Sequence, residues 1–86
     1  MHRKIEDKAS DLAKIFLGIR GVATMSVFLR GLLTEKEIVE LYRRIEIVKL
    51  LKKGIPQHKI ASRLGVGVAT VTRGSKQIQM GRFKQL

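Results

Sequence analysis

At 86 residues the chain has room for one domain, and a domain this short buries only roughly 60 to 65% of the surface its unfolded chain exposes. Hydrophobic residues make up 44% and no cysteine is present to staple or catalyse anything, so extra burial is expected from a second copy. The formal net charge of +11 calls for a polyanionic partner, and all seven acids precede residue 47, whereas Lys59, Arg63, Arg73, Lys76, Arg82 and Lys84 meet no acid from Gly54 onward.

In chain order, Ile5, Ala9, Leu12, Ile15 and Phe16 recur every three or four residues, predicting an amphipathic helix from about Arg3 to Leu17 that Gly18 and Gly21 end. A second, shorter helix is expected from Val22 to Arg30, with Met25, Phe28 and Leu29 as its apolar positions and Gly31 as its breaker. These residues read as core and dimerisation contacts over 1–33. Residues 12–33 are apolar, but Arg20 and Arg30 interrupt them and Glu6, Asp7 and Asp11 spoil a signal-peptide start. Neither a membrane span nor a leader is expected.

Thr34 with Glu37 spells a capping box, the hydroxyl accepting from one amide while the carboxylate reaches back to another. A long central helix should run from there to about Lys53, with Gly54 in the left-handed position beyond its end. Ile38, Leu41, Tyr42, Ile45 and Val48 share one face, while Val39, Ile47, Leu50 and Leu51 lie outside it. A helix apolar around most of its girth must be covered on more than one side.

Pro56 to Ser75 reads as a helix-turn-helix, a device for laying a short helix in the major groove of DNA. Ile60, Ala61 and Leu64 form a stripe at helical spacing, and Val66, Val71 and Val68 resume the apolar contacts after Gly65. Ala61 is small so that the second helix can cross closely, and Gly65 supplies the positive φ of the turn. The second helix is expected near Gly67 or Val68 and to fade around Ile78, loosely held because GVATVTRGS is rich in β-branched residues and glycine. Residues 79–86 are expected to be a short, frayed basic tail.

LLTEKEIVELYRRIEIVKLL, HKIASRLGVGVATVTRGSK and, within the latter, ATVTRGS resemble the Trp repressor family of bacterial DNA-binding proteins over roughly Leu32 to Lys76. The resemblance implies an all-α fold of about five helices in an intertwined homodimer, docked on a palindromic operator in double-stranded DNA. It implies a cytoplasmic, nucleoid-associated protein and L-tryptophan as corepressor between the central helix and the reading head. Carried to matching positions, Arg44 and Arg73 would sandwich the indole, with Val48 beside it, and Thr34 and Arg73 would meet the carboxylate. Backbone carbonyls from Gly31 to Leu33 would receive the ammonium, and Gly74 would leave room for the ring. Three departures set the chain apart from tryptophan-responsive members. Gln77 stands where they carry a serine, the link from Gly54 to Gly65 is one residue shorter, and their final helix is absent.

For DNA, the first turn of the second helix nominates Val68, Ala69 and Thr70 for base edges, where small apolar groups meet thymine methyls. Thr72, Arg73, Lys76, His58, Lys59 and Arg63 are nominated for phosphates. A repressor, with or without tryptophan, is the leading reading; a ligand-independent regulator or a helix-turn-helix module of an architectural or recombination protein is the alternative. No enzyme is expected, because neither histidine has an acid near it and Gly65-x-Gly67 lacks the lysine of a phosphate loop. No metal site is expected either, since His2 and His58 stand in no ligand spacing.

Overall fold

The computed structural model describes residues 4–86, so the expected first-helix start near Arg3 lies outside the described residues. Among the described residues the structure is all-α, with five helices in order: α1 (Ile5–Leu17), α2 (Val22–Leu32), α3 (Glu35–Lys52), α4 (Gln57–Leu64) and α5 (Val68–Gln79). They divide into two compact units, one ending at Glu35 and the other spanning Lys36–Leu86. None of these helices is long and apolar enough to cross a membrane.

In the N-terminal unit, Glu6 and Asp7 occupy the first turn of α1 and Lys14 its last, the polarity that complements the helix dipole. Gly18 closes α1, and Gly21, at φ 88, turns the chain into α2. Phe16 and Phe28 meet edge to face, with centroids 5.5 Å apart and planes at 86°, the arrangement aromatic quadrupoles favour. Gly31 does not break α2, which continues through it to Leu32, with Leu33 as the extended cap. One glycine costs a helix only about 1 kcal/mol relative to alanine, too little to stop it alone. Neither helix contains a buried residue.

The C-terminal unit has its own core. Ile47, Ile60, Ala61 and Val71 are buried together, and Leu50, Leu51, Ile55, Leu64 and Val66 pack around them. α3 begins directly after Thr34, where the capping box requires, and ends at Lys52. Its core side is Ile47, Val48, Leu50 and Leu51, whereas Val39, Leu41, Tyr42 and Ile45 face solvent. The stripe that periodicity singled out on α3 is thus mostly its uncovered face, and Val48 alone of that set is fully buried.

α4 and α5 pack on each other across the turn of residues 65–67. Gly65 adopts the left-handed conformation at φ 66, and the Val66 amide returns to the Ala61 carbonyl at 3.0 Å. A side chain with a Cβ would be strained in that conformation. Pro56 precedes α4 as its cap, where a missing amide costs nothing. α5 starts at Val68 despite its weak propensity, because Val71 is drawn fully into the core and the Thr72 hydroxyl donates to Gln57 Oε1 at 2.7 Å. Tertiary packing overrides propensity here.

The tail departs from expectation. After α5, Gly81 at φ 87 reverses the chain, its amide bonding the Ile78 carbonyl at 2.9 Å and that of Arg82 the Gln77 carbonyl at 3.1 Å. Lys52 Nζ then donates to the carbonyls of Phe83 and, at 2.9 Å, Leu86. The segment is folded back on the end of α3 rather than frayed, because Lys52, placed to complement the α3 dipole, also finds acceptors in the returning chain.

Candidate functional site: a cavity behind a basic helix pair

Between α3 and α5 lies a cavity of about 320 Å³, at the small end of the range typical of ligand pockets. Glu40, Arg43, Arg44, Ile47 and Val48 line it from α3, Thr70, Arg73, Gly74 and Gln77 from α5, and Phe83 from the tail. Helical spacing explains the grouping on each side, since residues three and four apart share a face.

Four residues nominated for a ligand, Arg44, Val48, Arg73 and Gly74, are brought together here. Gly74 has a second duty. A Cβ on it would stand 3.2 Å from Ile47 Cγ2 and 3.5 Å from Leu51 Cδ1, so its bare backbone is what lets α5 approach α3 closely. Gly31, Leu33 and Thr34 belong to the N-terminal unit, at the end of α2 and in the joint before α3.

The cavity's electrostatics are uneven. Arg44 Nη2 bonds Glu40 Oε1 at 2.9 Å, an exposed i, i+4 pair that orients the guanidinium but contributes only a few tenths of a kcal/mol. Arg43 and Arg73 carry no such partner among the described residues. Apolar walls with guanidinium groups at the rim suit a small amphipathic anion, its flat part against Ile47 and Val48 and its carboxylate at an arginine.

Beside the cavity, the surface of the helix pair is basic. His58, Lys59 and Arg63 on α4 and Val68, Ala69, Thr70, Arg73 and Lys76 on α5 are exposed, and Thr70 and Arg73 also line the cavity. Val68, Ala69, Thr72, Arg73, Lys76 and Gln77 line a shallow groove along α5. Thr72 differs from the others nominated for DNA, being half-buried with its hydroxyl engaged by Gln57. Arg73 borders both the groove and the cavity, so a group bound in one has a direct physical route to the other.

Several lining residues escaped the sequence reading. The Glu40–Arg44 spacing could have revealed that pair. Gln77, noted only as a departure, lines the cavity and accepts from Arg82 Nη1 at 2.9 Å. Phe83 left no local signal, because only the return of the tail brings it there.

Comparison with known proteins agrees with this architecture. The family model described as Trp repressor protein matches residues 10–84. A Trp operon repressor homolog of Xylella fastidiosa is 34% identical over 74 residues, 85% of this chain and 80% of the relative. Homologs of the same description from Vibrio vulnificus and Photobacterium profundum are 42% and 46% identical over 55 and 54 residues, about 63% and 62% of this chain. The chain spans about half the length of those two relatives, 54% and 52%. No solved structure matches it. Matched from the first helix into the tail, the chain belongs to the Trp repressor family.

Proposed function

We propose that the chain is a sequence-specific transcriptional repressor acting as a homodimer on a palindromic operator, with L-tryptophan as corepressor in the cavity. The observation that carries the reading is the acid-free outer face of α4 and α5, where exposed small residues at the start of α5 are flanked by cations. On this reading Val68, Ala69 and Thr70 meet base edges in the major groove, while His58, Lys59, Arg63, Arg73 and Lys76 hold phosphates. Base contacts of this kind are individually weak, so affinity comes mainly from the phosphates and falls steeply with salt.

The corepressor's role follows from where its cavity lies. A ligand wedged between α3 and α5 braces the angle at which α5 is presented, with its ring against Arg44, Val48 and Gly74 and its carboxylate at Arg73. Because Arg73 also borders the outer groove, ligand and DNA binding are coupled, and each must strengthen the other by the same factor. The proposed second copy covers the solvent-facing apolar residues of α3 and supplies the matching half-site contact.

Selection of bound fragments from a random duplex pool, with and without L-tryptophan, tests the proposal. A palindromic consensus that emerges only with the amino acid is expected. A consensus indifferent to tryptophan would make the protein a ligand-independent regulator, and enrichment of bent or A·T-rich DNA without a consensus would make it an architectural one.

A further inference from the structure

The cavity has a wall that belongs to neither helix. Phe83 reaches it from the tail, and the tail is fastened on both sides. Arg82 Nη1 donates to Gln77 Oε1 on α5 at 2.9 Å, and Lys52 Nζ at the end of α3 donates to the carbonyls of Phe83 and Leu86. The segment therefore straps together the two helices that frame the cavity. Phe83 itself has φ 64, the left-handed region that a bulky residue adopts only when its surroundings hold it there. The half-buried ring lines a space that is still about 320 Å³ with the strap in place. Room for an amino acid remains beneath the ring, so the ring is a wall and not a plug.

We infer that Phe83 is a ligand-contacting residue, held over the cavity by Lys52 and Arg82, and that it biases the site toward small carboxylates bearing a flat aromatic group. A ring facing a ring gains from quadrupole-favoured packing that a branched aliphatic side chain does not supply. The strap also keeps that wall preorganised, so little ordering is left for the ligand to impose. This inference rests on the proposal that the cavity takes a ligand, and it adds the residue that sets which ligand.

The test is calorimetric titration of the 86-residue protein with L-tryptophan and, separately, L-leucine. Phe83→Ala should raise the Kd for tryptophan about tenfold, corresponding to roughly 1.4 kcal/mol. Phe83→Leu, which keeps bulk but loses the flat face, should narrow the preference for tryptophan over leucine. Lys52→Met removes the clamp from outside the cavity and should weaken tryptophan binding in the same direction as Phe83→Ala. Thermal unfolding of each variant establishes that it is folded before its affinity is read. The chain contains no tryptophan, so Phe83→Trp adds a single indole, excited selectively over Tyr42, whose ligand-free emission should be blue-shifted and should move to the red when Lys52→Met is added. Tighter binding by Phe83→Ala would make the ring a plug and overturn the inference, as would unchanged affinity and preference in all the variants. Failure of the unaltered protein to bind tryptophan would sink the corepressor reading and the Phe83 contact with it, whereas solvent-like Phe83→Trp emission would sink the strap alone.

Discussion

The N-terminal unit and the C-terminal unit solve the problem of burial in opposite ways. α4, α5 and the later half of α3 enclose Ile47, Ile60, Ala61 and Val71 completely enough to make a core within one chain. α1 and α2 bury no residue fully, leaving Ile5, Leu12, Ile15, Leu17, Val22, Val27 and Leu32 open to solvent. Exposed apolar residues in that number, with Ile5, Leu12 and Ile15 sharing one side of α1, leave a large area of apolar surface open. The proposed DNA-reading half can therefore hold its shape from its own contacts, while the exposed apolar residues of the other half are where the proposed second copy would add burial.

This contrast can be broken most forcefully at Ile60, which is fully buried. Ile60→Ala should destabilise the C-terminal unit by about 3 kcal/mol through lost transfer energy and the cavity left behind, read as a large fall in thermal midpoint. A small fall would mean that the unit is not held by this core. Leu12 tests the other half. It is exposed in the single chain, so Leu12→Asp would be nearly neutral in a monomer. In the proposed dimer it should cost on the order of 2 kcal/mol or more of association energy, seen as dissociation in sedimentation velocity at micromolar concentration.

Thr72 offers a smaller and sharper probe of how α5 is tied to α4. Thr72→Val removes the hydroxyl that donates to Gln57 and should cost about 1 kcal/mol in chemical unfolding. Gln57→Leu in the same background should add little, since one bond cannot be lost twice. The least change in stability is expected at exposed Lys76. Lys76→Ala should leave unfolding unchanged, weaken binding to every duplex alike, and reduce the slope of log affinity against log salt by about one.

The sequence was most legible where one residue type answers one geometric demand. Ala61, Gly65 and Val71 located both helices of the pair and the turn between them, because a close crossing, a left-handed turn and a core-facing branch each admit few side chains. Gly54 located the end of α3 in the same way. Gly31 misled because a helix stop needs more than a glycine. It also needs something that gains from stopping, and α2 carries on through Gly31 to Leu32. The α3 pattern left open which of its apolar sides the chain itself covers, since periodicity reports which residues share a face but not which face is covered first. The tail was illegible because Lys52 and Phe83 lie 31 residues apart and no local pattern announces their meeting. Within the cavity, Arg44, Val48, Arg73 and Gly74 could be named in advance through the family resemblance, whereas Glu40, Arg43, Ile47, Thr70, Gln77 and Phe83 could not.

Repression as proposed requires two chains to present their α5 helices together to one duplex. Sedimentation of the complex formed on the selected palindromic duplex measures this directly, by giving the mass bound at saturation. Two chains per palindrome, with one chain failing to form a defined complex on an isolated half-site, is the predicted result. One chain per duplex, bound equally well to half-site and palindrome, would contradict it.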